Sequence, residues 1–118
     1  MSIKVENDLG SIIITKDVIA NIAGSSAIEC YGLVGMAARS ATSGIVNLLK
    51  KENLNKGVKI EETDEGLIID LYVIIQFGTK ISVVAENIIG KVRYNVENQT
   101  GLKVKKVNVN IEGVKVQE

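Results

Sequence analysis

The sequence predicts an α+β fold in which helices cover one face of a single sheet, and three observations carry that prediction. Leu67, Ile69, Leu71, Val73, Ile75 and Phe77 alternate along one stretch, so they share one face of a strand. Immediately afterwards the period changes, and Ile81, Val84, Ala85, Ile88, Val92 and Val96 recur three and four residues apart, as on one side of a helix. The 118 residues contain no proline, no low-complexity tract and no internal repeat, so nothing marks a linker, and residues 1–118 are expected to form one domain.

Taken in chain order, Gly10 followed by Ser11, Ile12, Ile13 and Ile14 reads as a short β-branched strand. Thr15 is an N-cap candidate, and Asp17 sits in the positive first turn of a helix expected over residues 16–29. Val18, Ile19 and Ile22 are its expected core stripe, while Ala20, Ala23, Gly24, Ser25, Ser26 and Ala27 suit close packing. Gly32 and Gly35 interrupt the pattern. Ser43 is expected to cap a short second helix that turns Ile45, Leu48 and Leu49 inward, with Lys50 and Lys51 near its negative end.

Val58 and Ile60 alternate with Lys59 and Glu61, and Thr63-Asp64-Glu65-Gly66 returns the chain into the long strand already described. The opposite face of that strand is mixed (Ile68, Asp70, Tyr72, Ile74, Gln76), which implies partial cover. Gly78-Thr79 is expected to open the long helix with Thr79 as N-cap, and Gly101 to stop it. The last strand, residues 102–112, changes phase at Lys105-Lys106, which predicts a β-bulge. The expected order is β-α-α-β-β-α-β: a two-layer arrangement with a mixed or antiparallel sheet of about four strands.

Composition excludes several classes of function. Lys and Arg number 14 and so do Asp and Glu, which removes any global attraction to nucleic acid or anionic lipid. Cys30 is the one cysteine, so no intrachain disulfide can form. The first residues carry neither a basic nor an apolar leader segment, and the longest apolar run is interrupted by Asp70, far short of the ~20 residues a membrane helix needs. The expected location is the cytoplasm.

The residues offer little to an enzyme. Histidine is absent, which removes the commonest general base and metal ligand. No phosphate-binding, dinucleotide, nucleophile-elbow or metal-spacing motif is present. Cys30 has no histidine to activate it and reads as a packing residue. Glu61, Glu62, Asp64 and Glu65 lack calcium-loop spacing and read as a solvated turn. No catalytic, cofactor-binding or metal site is therefore expected. Gly32-Leu33-Val34-Gly35 matches the GXXG of KH domains, which clamps a nucleic-acid backbone, but leucine and valine suit a buried turn better. Lys103, Lys105 and Lys106 add local charge, yet Tyr31, Tyr72, Tyr94 and Phe77 form no evident stacking platform.

A contact with another protein has more support. Val83, Asn87, Gly90 and Tyr94 fall together on the long helix, opposite its core stripe. A solvated face does not call for valine or tyrosine there, and a mid-helix glycine costs about 1 kcal/mol relative to alanine. These four residues are the candidate partner contact.

Several stretches carry a resemblance across essentially the whole chain. They are Gly10 to Ile14, Val18-Ile19-Ala20 through Ala23-Gly24, and Cys30-Tyr31-Gly32-Leu33-Val34-Gly35-Met36. Gly57 to Ile60, Phe77-Gly78-Thr79-Lys80-Ile81, Thr100-Gly101-Leu102 and Val107-Asn108-Val109 complete them. Together they resemble the alkaline-shock-protein, or envelope stress response, family of Gram-positive bacteria, and most closely its short, compact members. The resemblance implies a cytosolic, non-catalytic protein of envelope homeostasis, held at the membrane in some relatives by a separate anchor protein. It also implies a genetic link to a dihydroxyacetone-kinase-like, fatty-acid-handling enzyme, so a regulatory subunit of such a kinase is the alternative. The family supplies no catalytic residues to carry over. The expected partners are proteins: a membrane-anchored one, a lipid-metabolism kinase or a second copy. Neither nucleic acid nor direct membrane insertion is expected.

Overall fold

The computed structural model describes residues 2–37 and 55–116. Among these, two helices and six strands form an α+β fold, with a mixed sheet of four strands and a separate hairpin of two. The elements are β1 (Ser2–Asn7), β2 (Gly10–Thr15), α1 (Lys16–Ile28), β3 (Leu33–Met36), β4 (Val58–Thr63), β5 (Gly66–Gln76), α2 (Ile81–Thr100) and β6 (Val104–Lys115). The short helix expected from Ser43 through Lys51 lies outside the described residues.

Strand β5 organises the sheet. Along its whole length it pairs in parallel with β6, from Leu67 opposite Val104 to Gln76 opposite Lys115. Its other edge is shared by two antiparallel strands. β4 covers the first half, Val58 opposite Leu71 to Thr63 opposite Gly66, and β3 the second, with Met36 opposite Val73 and Leu33 opposite Ile75. The turn between β4 and β5 closes where the Thr63 hydroxyl donates to the Gly66 carbonyl at 2.6 Å.

Leu67, Ile69, Leu71, Val73 and Ile75 are all buried under the helices, as the alternation requires. The opposite face is half-covered, and there Asn108 Nδ2 donates to Asp70 Oδ1 at 2.7 Å across the parallel pair. In β6 the register steps from Val104 to Lys106, so Lys105 is the bulged residue that the phase change anticipated. A second bulge at Glu112 and the extension of the strand to Lys115 left no comparable sign in the sequence.

The two helices lie side by side on the sheet, where Asn95 Nδ2 donates to Ser26 Oγ at 2.8 Å and Ser26 in turn donates to the Ile22 carbonyl. Small residues let the backbones approach: Ala20, Ala23, Gly24, Ser26 and Ala27 are buried, while Ser25 is exposed. Thr15 caps α1 as expected, its hydroxyl accepting from the Val18 amide. Gly101 ends α2 in the left-handed conformation.

Several expectations need correction at element ends. Val18, Phe77 and Ile81 are exposed rather than core: Val18 points away from the side of α1 that buries Ile19, Ala20, Ala23 and Ala27, while Phe77 follows the end of β5 and Ile81 is the first residue of α2. Lys80, not Thr79, is the N-cap of α2, and it offers no side-chain cap. The Thr79 hydroxyl instead donates to the Gln76 carbonyl at 2.7 Å, closing the β5–α2 corner.

Two strands were not anticipated. β1 pairs with β2 in a hairpin of its own (Ile3 opposite Ile14, Val5 opposite Ile12), whose two-residue loop is held by Asn7 Oδ1 accepting from the amides of Leu9 and Gly10. Ile3 reaches the core, but Leu9, Ile12 and Ile13 are exposed. β3 runs through the glycine motif itself, so the fourth strand of the sheet is β3, and β2 belongs to the hairpin.

Candidate partner surface on the long helix

The site begins with the two sides of α2. Val84, Ile88, Val92 and Val96 are buried at intervals of four and hold the helix on the sheet. The opposite side presents Val83, Asn87, Gly90 and Tyr94, a strip about 16 Å long at 1.5 Å rise per residue. All four are exposed, Val83 by 47% and Tyr94 by 66%. A Cβ at Gly90 would meet no described atom within 4 Å. Packing among the described residues therefore gives no reason for the glycine.

The strip continues toward the end of α1 in a way the sequence did not reveal. Tyr31, exposed just beyond that helix, joins Val83 and Asn87 around an open hollow of about 310 Å³, floored by Val84. Tyr31 is 52 positions away from Val83 (83 − 31), so only the tertiary packing of the α1–β3 turn brings the two together.

That turn is the Gly32–Gly35 motif. Gly32 has φ of +89°, and a Cβ there would lie 2.6 Å from Val84 Cγ2. Its carbonyl accepts the Gln76 amide at 2.8 Å, and Gly35 is buried within β3. The motif is a packed turn leading into a strand, a geometry unlike that of an open loop free to clamp a phosphate backbone.

Cys30, and Glu65 of the acidic turn, make contacts within the fold. Cys30 is half-buried, and its Sγ lies 3.6 Å from the Ser26 carbonyl and 3.9 Å from that of Asn87. Burial pushes its thiol above the ordinary range; Lys91 opposes this and Glu29 adds to it. That is the reverse of an activated nucleophile. In the acidic turn Glu65 pairs with Lys105 at 3.4 Å. Among the described residues no group of three or more acidic or cysteine side chains converges as a metal site. A larger hollow of about 590 Å³ lies by this turn, lined by Glu62, Asp64 and Lys103 as well as by Arg93, which donates to the Lys105 carbonyl, and Glu97, which accepts the Val104 amide. No helix among the described residues is long and apolar enough to cross a membrane.

The profile of the alkaline shock protein 23 family, described as having a cell envelope-related function, matches residues 4–116. Uncharacterized protein YloU of Bacillus subtilis is 44% identical, over 98% of this chain and 98% of its own. Uncharacterized protein Spy1614 of Streptococcus pyogenes is 43% identical, over 98% and 97%. Uncharacterized protein YqhY of Bacillus subtilis is 36% identical, over 92% and 80%. Among solved structures, a MamM CTD variant aligns at 12% identity with a TM-score of 0.48, over 86% of this chain and 95% of that one.

Proposed function

Because the chain belongs to the alkaline shock protein 23 family, with its cell envelope-related function, we propose that it serves the envelope as a non-catalytic interaction or scaffold protein that binds another protein chain through the outward face of α2. The observation that carries this reading is the exposure of Val83, Asn87, Gly90 and Tyr94 as one strip with open space over Gly90. Water rewards neither the valine nor the tyrosine, and the glycine weakens the helix by about 1 kcal/mol. Against a partner each has a use: tyrosine is a frequent interface anchor, and glycine permits close backbone approach. The proposed setting is the cytoplasm, where a membrane-anchored partner would hold the protein at the inner face of the membrane.

Gly90→Gln tests the reading. It replaces a poor helix former with a good one at a position where a Cβ meets no atom of the described residues within 4 Å. The expected outcome is a melting temperature equal to or above that of the parent together with weakened association, measured by thermal melt and by pull-down or sedimentation on the same preparation. Unchanged association would reduce the strip to solvent-facing surface. A destabilised fold would return Gly90 to an internal packing role.

A further inference from the structure

Resting on that reading of the α2 face, the charge pattern beside it points to its occupant, and we propose that the strip is the seam of a parallel two-fold dimer with a second copy of this chain. Val83, Asn87, Gly90 and Tyr94 are spaced four, three and four apart, the d-a-d-a rhythm of a helical seam. At about 100° per residue they stay within about 60° of arc, with Glu86 about 70° to one side and Lys91 about 70° to the other. Glu86 therefore holds the g position and Lys91 the e position of one heptad.

The arrangement of these flanks selects an orientation. A parallel two-fold places the g side of one helix against the e side of its partner, so Glu86 faces Lys91 of the second copy, five residues further on, twice over. An antiparallel pairing places like flank against like flank, so Lys91 would lie on the second copy's lysine side and Glu86 would find as its nearest cation Arg93, which is held by the Lys105 carbonyl of its own chain at 2.8 Å. Within its own chain Lys91 already pairs with Glu29 at 3.3 Å. The dimer would thus join Glu29, Lys91 and the second copy's Glu86 into one network. Asn87 stands at an a position, where a single asparagine favours two parallel strands. Gly90 at the adjacent d position lets the helices close at the middle of the seam, with Val83 and Tyr94 filling its ends.

The seam is short for the roughly 800 Å² per partner typical of stable complexes, so association should depend on concentration rather than be obligate. Each helix is already folded by its core stripe, so no ordering of a disordered segment opposes docking.

Sedimentation equilibrium of the full chain over about a hundredfold range of concentration provides the test, with thermal melts to verify that each variant folds. The parent should move from monomer to dimer across the range. Glu86→Lys and Lys91→Glu should each weaken dimerisation by at least about tenfold, while the double reversal should restore it to within about threefold of the parent. Gly90→Gln should abolish it. A parent that stays monomeric throughout, single reversals without effect, or a double reversal that fails to recover would each overturn the homodimer. The broader reading fails separately. If the chain is monomeric but Gly90→Gln still loses a cellular protein that the parent captures, the face binds a different partner; if it loses nothing, both ideas fall.

Discussion

Three glycines, each replaced by alanine, separate steric clash from backbone conformation. Gly32 combines a φ of +89° with a would-be Cβ 2.6 Å from Val84 Cγ2 and 3.4 Å from both Thr79 Cγ2 and Val84 Cγ1. Gly101 shares the positive φ, +74°, but has open space around it. Gly90 is an ordinary helical position, also open. Alanine at Gly101 should cost only the left-handed conformation, about 1–2 kcal/mol. At Gly32 it adds the displacement of Val84, a buried β-branched side chain with few rotamers to choose from, for about 1–3 kcal/mol of overpacking and about 2–5 kcal/mol in all. At Gly90 it should stabilise by up to about 1 kcal/mol. A chain of this length unfolds with an entropy of about 0.25 kcal/mol/K, so 1 kcal/mol moves the midpoint by about 4 °C. Thermal unfolding followed by circular dichroism should therefore place Gly32→Ala about 8–20 °C below the parent, Gly101→Ala about 4–8 °C below, and Gly90→Ala up to about 4 °C above. If Gly32→Ala melts no lower than Gly101→Ala, the contact with Val84 does not matter and the motif is free to serve as a binding loop.

Two further outcomes are expected. Val73 is fully buried in the centre of β5, so Val73→Asp places an unpaired charge in the core at several kcal/mol, and the purified variant should show no cooperative melt; a parent-like transition would show that the buried face is misassigned. Because burial raises the Cys30 thiol above its ordinary range, alkylation near pH 9 should be slower in the folded chain than in the chain unfolded by urea. The sign for stability follows: the native state keeps its proton after the unfolded state has lost it, so the contribution of Cys30 is complete below the unfolded thiol pKa and declines as pH rises through the higher folded one. Cys30→Ala should flatten that alkaline decline with at most a modest loss of stability at neutral pH; a steeper decline would contradict the packing role.

What the sequence disclosed depended on how local the deciding interaction was. Strand β5 and helix α2 were legible because each writes its buried face into its own periodicity, and the β6 bulge was legible because the apolar phase changes at Lys105. β1 was not, because Ile3 and Val5 are only two alternations in six residues, and pairing with β2 decides their conformation. β3 looked like a break because it contains Gly35, and it is extended because β4 leaves the second half of β5 without a neighbour. The parallel direction of β6 had no local trace, since it is set by where α2 delivers the chain. Periodicity also reports which way a side chain points and not how far the covering element reaches, which accounts for exposed Phe77 and Ile81.

The same distinction applies to the candidate surface. The strip on α2 is one side of one helix, so its four residues could be named from spacing alone, whereas Tyr31 joins it through a tertiary contact at the Gly32 turn. Gly32 O accepts the Gln76 amide, and Cα–H of Gly32 faces Val84, so this turn ties the end of β5, the first turns of α2 and the residue beside Tyr31 into one corner. The glycine motif that resembles a ligand loop thus has a different use: it sets where an exposed tyrosine stands relative to Val83 and Asn87. A packed glycine and an open glycine thus stand on opposite sides of one helix, Gly32 fixing the corner against Val84 and Gly90 lying clear of the described residues of its own chain, and the proposed docking of another chain calls on the second only.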